Sequence, residues 1–223
     1  MPESGQALLF DIDGTLADTD ALHVEAFNQI FAPRGQPFDR ARAAKELMGF
    51  SNASIGERFL AGEPPERQAA IMSEKEEAFR KLASGKIQPL AGLMTLLDRA
   101  DHAGIPMVAV TNAPRPNAEM MLSGLAIMHR FKAVIIGDEL AHGKPHPMAY
   151  LEGLRAVNAA PERSLAFEDS RSGIQSATAA GIATIGVRTT LIDADLIAAG
   201  AVMTAPNFED AELLRLVRMT MNW

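Results

Sequence analysis

The chain reads as an α/β protein: a doubly wound parallel sheet, Rossmann-like, with a helical cap domain inserted after the first strand. Three observations carry that reading. Short apolar runs alternate with amphipathic helical stretches, the pattern of parallel strands joined by crossover helices. Polar residues fall at the carboxyl ends of those runs, where an open parallel sheet binds its ligands. Residues 18–88 hold helical patterns and no strand, which is too much helix for one crossover.

Residues 7–11 form the first buried run. Residues 107–111, 133–136, 164–168 and 183–187 follow as strands, with a weaker sixth at 201–203. Between them lie helical stretches. Leu93, Leu96, Leu97 and Ala100 share one face of residues 92–102, and 117–125, 148–157, 172–180 and 209–219 repeat the pattern. The long helical stretch is punctuated by Pro33-Arg34-Gly35, Met48-Gly49 and Gly62-Glu63-Pro64-Pro65. The division expected is a core of residues 1–17 and 89–223 around a cap of 18–88, with hinges near 16–18 and 88–89.

Composition excludes several classes. The chain has 223 residues, of which 48% are hydrophobic, enough for a large core with a smaller inserted domain. A net charge of −7 gives no basic footprint for nucleic acid. With no Cys there is no disulfide, thiolate metal site or Cys nucleophile. No apolar run approaches the roughly 18 residues of a membrane span, and the N-terminus lacks a signal-peptide pattern. The expectation is a cytoplasmic protein, monomer or weak homodimer.

The informative residues are Asp11 and Asp13, at the end of the first apolar run. Burying charge is costly unless a metal or a reaction uses it. Thr111 and Asn112 end the second strand, Gly143-Lys144-Pro145 follows the third, and Glu168-Asp169-Ser170 ends the fourth. Four loops on one sheet edge thus supply carboxylates, a hydroxyl and a lysine. Phosphoryl transfer needs positioning and charge neutralisation of this kind. Each feature alone has a bland reading: loop carboxylates that cap a turn, a strand threonine, a solvated lysine, and Glu168, Asp169 or Ser170 as helix caps. X–Pro bonds tolerate the cis form, and Lys144–Pro145 is a site for it.

Together the runs resemble the haloacid dehalogenase-like superfamily. Leu8-Leu9-Phe10-Asp11-Ile12-Asp13-Gly14-Thr15 matches its first motif, Thr111 its second, Lys144-Pro145 its third and Glu168-Asp169 its fourth. Gly173-Ile174-Gln175 and Ala179-Ala180-Gly181 are typical of the branch containing β-phosphoglucomutase and phosphoglycolate phosphatase. The resemblance implies an aspartyl-phosphate enzyme acting on a small phosphorylated metabolite with Mg²⁺. Asp11 would be the nucleophile and Asp13 the general acid and base. Asp11, the Asp13 carbonyl and Asp169 would hold the metal, with Glu168 on it or just behind. Thr111 would hydrogen-bond a phosphoryl oxygen, Lys144 would neutralise charge beside it, and the Asn112 main-chain N–H would bind phosphate too.

The cap leaves alternatives open. Lys75 shares a stripe with Ile71, Ala78 and Leu82, so it either snorkels or faces a polar cleft. His23 either gates proton transfer, as related mutase sequences imply, or packs on the first cap helix. Arg115 reaches either substrate phosphate or solvent. Asn52 stands where the mutase carries an Arg for a second phosphate, which favours hydrolysis over mutase chemistry. Asp13 and Asp169 speak against a metal-free dehalogenase. The helical insert and second Asp speak against a receiver domain, and a degenerate phosphate-binding protein would have lost a motif.

Overall fold

The computed structural model describes residues 5–223. Residues 1–4, assigned above to the core segment and to an N-terminus without a leader, lie outside the described residues.

Six strands form one parallel sheet: β1 (Leu8–Phe10), β2 (Met107–Thr111), β3 (Phe131–Ile136), β4 (Leu165–Glu168), β5 (Ala183–Val187) and β6 (Met203–Ala205). Their order is β3-β2-β1-β4-β5-β6. The order reverses between β1 and β4, and that crevice is where such sheets place ligands. β1 is buried on both faces. Leu8 and Phe10 enter one core and Leu9 the other, as a period of two requires. Phe10 stacks on Phe167 with ring centroids 4.7 Å apart.

Helices cover both faces. α5 (Leu93–Ala103), α6 (Arg115–Gly124) and α10 (Ala211–Met221) lie over the larger core. α7 (Met148–Ala156) and α8 (Arg171–Ala179) cover the other face, and α9 (Asp193–Ala199) joins β5 to β6. No helix among the described residues is long and apolar enough to cross a membrane.

Three departures from the sequence pattern have physical reasons. The last strand is 203–205 rather than 201–203, because Gly200 ends α9 in a left-handed turn (φ 118°) that uses up residues 200–202. α6 begins at Arg115, two residues before the expected start. Pro114 and Pro116 sit where a helix needs no intrahelical N–H partner, so they open it rather than delay it. α9 itself is too short to display a helical period clearly.

Between β1 and β2 run α1 (Asp20–Phe31), α2 (Arg40–Glu46), α3 (Asn52–Phe59) and α4 (Pro65–Ala83). They enclose their own cluster around Phe27, Phe31, Phe38, Leu47, Ile55 and Ile71, with Phe38 edge-on to Phe31 and Phe59. The chain leaves and re-enters the sheet side by side: the Leu90 N–H donates to the Leu16 carbonyl at 2.9 Å.

A buried polar chain also ties this insert to the sheet domain. Lys75 and Glu76 on α4 are only 2% and 5% exposed. The Lys75 ammonium donates to Glu76 Oε1 at 3.0 Å and lies 4.1 Å from the Phe27 ring centroid. Asn117, on α6, donates to Glu76 Oε2 at 2.6 Å and accepts from Arg80 at 2.8 Å. Burial pushes the Glu76 carboxyl up, but Lys75, then His23 and Asn52, hold it below its ordinary 4.5. Such a depressed group stabilises the fold fully above its unfolded value and stops doing so as pH falls through its folded one.

Glu76→Gln is therefore expected to cost about 3 kcal/mol at neutral pH, by leaving the buried Lys75 charge without its carboxylate. Thermal melts of both proteins at stepped pH check this. The gap in melting temperature should be widest above about pH 5 and shrink below the ordinary 4.5. A constant gap would mean that packing, not charge, is the source.

Candidate active site

Register builds the site. Phe10 pairs with Phe167, so Asp11 and Glu168, the next residues, stand level. The Asp11 N–H donates to the Phe167 carbonyl at 3.0 Å. Lys144 comes from the loop after β3 and lies between the two carboxylates. Its ammonium is 2.6 Å from Asp11 Oδ1, 2.6 Å from Glu168 Oε1 and 2.7 Å from the Val110 carbonyl. Those contacts use all three of its protons.

The Asn112 side chain fixes the Lys144 loop. Its Oδ1 accepts from the Lys144 N–H at 2.9 Å and its Nδ2 donates to the Lys144 carbonyl at 3.0 Å. The Lys144–Pro145 peptide is cis. Tyr150 of α7 donates to Glu168 Oε1 at 2.6 Å, and Ser170 donates to Oε2 at 3.2 Å while capping α8. A Cβ on Gly173 would lie 2.0 Å from that same carboxyl, so only glycine lets α8 pass it.

Asp11, Glu168 and Asp169 each offer an oxygen within 4.8 Å of the others, and all three residues are buried. Burial pushes the Asp11 carboxyl up, and Glu168 adds to this against the pull of Lys144. Asp169 is driven well above the usual range by burial, then by Asp11 and Glu168. Burial alone would lower Lys144, yet Asp11 and Glu168 hold it up. The cluster thus has more negative charge than one ammonium neutralises. Its donors are hard oxygens, the set that suits a small divalent cation. Asp169 Oδ2 accepts from Thr190. Gly14 (φ 78°) is needed beside it, since a Cβ there would lie 2.0 Å from that oxygen.

Asp13 lies across the cleft. Its Oδ1 accepts from Thr19 at 3.1 Å and pairs with His23 Nε2 at 3.1 Å. Its Oδ2 is buried with no hydrogen-bond partner among the described residues. The other His23 nitrogen, Nδ1, is 3.2 Å from the Lys75 ammonium. An ammonium only donates, so Nδ1 accepts and Nε2 carries the proton given to Asp13. His23 also stacks on Phe79 at 3.8 Å, so packing and polar contact occur together. Burial works against charge on Asp13, but His23, then Thr19 and Lys75, hold its pKa below the usual value.

Asp11, Asp13, His23, Asn52, Lys75, Thr111, Asn112, Lys144 and Asp169 all line one cleft. Lys75 faces the polar cleft rather than snorkelling. Thr111 Oγ1 accepts from the Ala113 N–H at 2.9 Å. Glu168 stands behind the cleft wall. Arg115 is not brought to the cleft: its guanidinium forms two bonds to Glu139, at 2.7 and 2.6 Å, on the surface. Sequence reasoning missed Asp20, which lines the cleft and accepts from Thr190 at 3.0 Å, and also Glu76, Asn117, Tyr150 and Thr190. Of these, Glu76 beside Lys75 on an apolar stripe was the one available signal.

Known proteins similar to this chain place it in a family. A profile for haloacid dehalogenase-like hydrolases matches residues 8–187. Protein CbbY of Rhodobacter capsulatus is 33% identical over 191 residues, covering 79% of this chain and 82% of that one. Fructose-1-phosphate phosphatase YqaB of Escherichia coli (strain K12) is 31% identical over 191 residues, covering 84% of this chain and 99% of that one. The solved structure of CbbY from Rhodobacter sphaeroides in complex with phosphate matches with a TM-score of 0.80 and 33% identity, covering 92% of this chain and 95% of that one. The chain belongs to the haloacid dehalogenase-like hydrolase family.

Proposed function

We propose that the chain is a Mg²⁺-dependent phosphatase that hydrolyses a small phosphorylated metabolite, of the sugar-phosphate or phosphoglycolate type, through an aspartyl-phosphate on Asp11. One observation carries this reading most. The Asp11 carboxylate belongs to the three-oxygen cluster and also contacts Lys144, while it faces a cleft that holds Asp13. The fructose-1-phosphate phosphatase relative and the phosphate-bound neighbour support it.

Asp11, Asp169 and the Asp13 carbonyl would hold Mg²⁺, with Glu168 oriented behind them by Lys144 and Tyr150. The metal supplies charge neutralisation at the phosphoryl oxygens. Asp11 attacks phosphorus. Asp13, a carboxylate before the ester enters, takes the proton that a monoanionic phosphate ester brings, on its Oδ2, which has no partner among the described residues. It gives that proton to the ester oxygen as the bond from phosphorus to that oxygen breaks. Asp13, now a carboxylate, takes a proton from the water that attacks phosphorus and frees Asp11. The Thr111 hydroxyl donates a hydrogen bond to a phosphoryl oxygen, and the Lys144 ammonium, held by Asp11, Glu168 and the Val110 carbonyl, neutralises charge beside it. His23 and Lys75 set the charge around Asp13. Helices α1–α4, taken as a cap of residues 18–88, exclude bulk water and select the leaving group.

The test is phosphate release from a panel of esters, with Mg²⁺ and with excess chelator. Metal-dependent release supports the reading. Interconversion of sugar phosphate isomers without net release would make the chain a mutase instead. Asp11→Asn is expected to lower release at least about a thousandfold. Its melting temperature should hold or rise without metal, since one of three crowded buried carboxylates loses its charge. Asp13→Asn should slow turnover by about 10²–10⁴, and intact-protein mass spectrometry after acid quench should find phosphate on Asp11. A normal rate would remove Asp13 from the acid–base role.

A further inference from the structure

Asp20, the first residue of α1, is a buried carboxylate with no part in the steps at Asp11 and Asp13. It is 3% exposed and lines the reactive cleft. Its Oδ1 accepts from the Thr190 hydroxyl at 3.0 Å. Its Oδ2 is buried and has no hydrogen-bond partner among the described residues. The Arg40 guanidinium of α2 lies 3.7 Å from that oxygen, too far for a hydrogen bond, and the Arg40 side chain is 57% exposed. Arg40 also donates to Asp18 at 3.3 Å and to the Thr189 carbonyl at 3.2 Å. His23 is near as well, but its Nε2 is committed to Asp13.

The Thr190 hydroxyl is the sharpest sign that a partner is missing. It lies within bonding distance of Asp20 Oδ1 and of Asp169 Oδ2, yet a hydroxyl has one proton to give. One of the two carboxylates therefore goes without that donor. The two are close, and Asp20 adds to the negative field on Asp169. A buried acceptor left unpaired costs about 1–3 kcal/mol, and more when it is charged. What the pair lacks is a group of donors beside Asp169 with positive charge behind them. A substrate hydroxyl would supply one proton and no charge. A small divalent cation on hard oxygens keeps several of its waters, and each of those is a polarised donor.

Building on the Mg²⁺ reading, we infer that Asp20 extends the cation site as a positioning residue. Its Oδ2 accepts from a water that the cation retains, and Thr190 joins its carboxylate to that of Asp169. Asp20 is not a ligand itself. It orients the hydrated side of the ion and adds a negative charge that favours binding, as partners behind the direct ligands do at other metal sites.

The experiment measures Mg²⁺ binding to the wild-type chain and to Asp20→Ala, Asp20→Asn and Asp18→Asn. Asp18 is the control, because it shares Arg40 with Asp20 but is 44% exposed and does not line the cleft. Binding is read by isothermal titration calorimetry, and by the rise in melting temperature when Mg²⁺ is added to the metal-free protein. Each rise is referred to that protein's own metal-free melt, so a general loss of stability does not imitate weaker binding. Asp20→Ala should weaken Mg²⁺ binding by about 10–100-fold. Asp20→Asn, which keeps an acceptor oxygen without the charge, should fall between it and the wild type. Asp18→Asn should stay within about twofold, since exposed pairs carry little. In phosphate release, the Mg²⁺ concentration for half-maximal rate should rise in step, and saturating Mg²⁺ should restore most of kcat. Mg²⁺ affinity within about twofold of the wild type in both Asp20 variants would overturn the inference; a raised KM for the ester in that case would make Asp20 a substrate contact. A loss in Asp18→Asn as large as that in Asp20→Ala would also overturn it, by placing the effect in the Arg40 pairs. A wild-type chain that binds no Mg²⁺ would instead overturn the cation reading beneath it.

Discussion

One ammonium organises this molecule's reactive edge. Lys144 holds Asp11 and Glu168 at 2.6 Å each, inside a crevice where neither carboxylate has much access to water. Two such carboxylates from adjacent strands would repel across a low-dielectric gap. With Lys144 between them they keep the register that β1 and β4 impose. The Asn112 clamp, the Tyr150 and Ser170 hydroxyls and the side-chain-free Gly173 all serve this contact. Each either fixes Lys144 or fixes what Lys144 touches. The compensation is partial, since a third buried carboxylate, Asp169, belongs to the same cluster.

The insert depends on a second set of buried charges. Lys75 faces Glu76 on one side and His23 on the other, and His23 reaches Asp13. The chain continues from Glu76 to Asn117, on the sheet domain. Asp13 therefore takes its surroundings from two helices of the insert, although its own position comes from β1. Any displacement of α4 relative to α1 separates Lys75 from His23 and changes the field at Asp13. The same contact that joins α4 to α1 thus sets the charge around Asp13.

Much of this was legible in the residues. Strand ends were marked by Asp11, Thr111 and Glu168, because apolar runs that stop abruptly in polar groups have few structural uses. The helical insert was legible as a missing strand. Partners acting through space were not. Tyr150 reads as one more apolar position on α7, and its hydroxyl matters only because Glu168 lies beside it. Thr190 reads as a loop residue after β5. Asn112 was read through its main-chain N–H, whereas its side chain carries the Lys144 loop, a pairing of residues 32 apart. Arg115 stayed open between phosphate and solvent because Glu139, which holds it, is 24 residues away. Local periodicity carries no information about such distant pairs.

Asn52 ties the cleft wall to the insert's own contacts. An arginine there would bring a cation to the cleft wall and balance Glu76. Asparagine brings only a dipole, which helps Lys75 and His23 hold the Glu76 carboxyl below its ordinary pKa. The anion at the wall is then held by Lys75 and Asn117, which are committed to the insert's own stability. A ligand cannot draw on those charges without weakening the contact that positions Lys75. Lys75 and Asn117 are thus committed to the contact that joins the helices between β1 and β2 to the sheet domain.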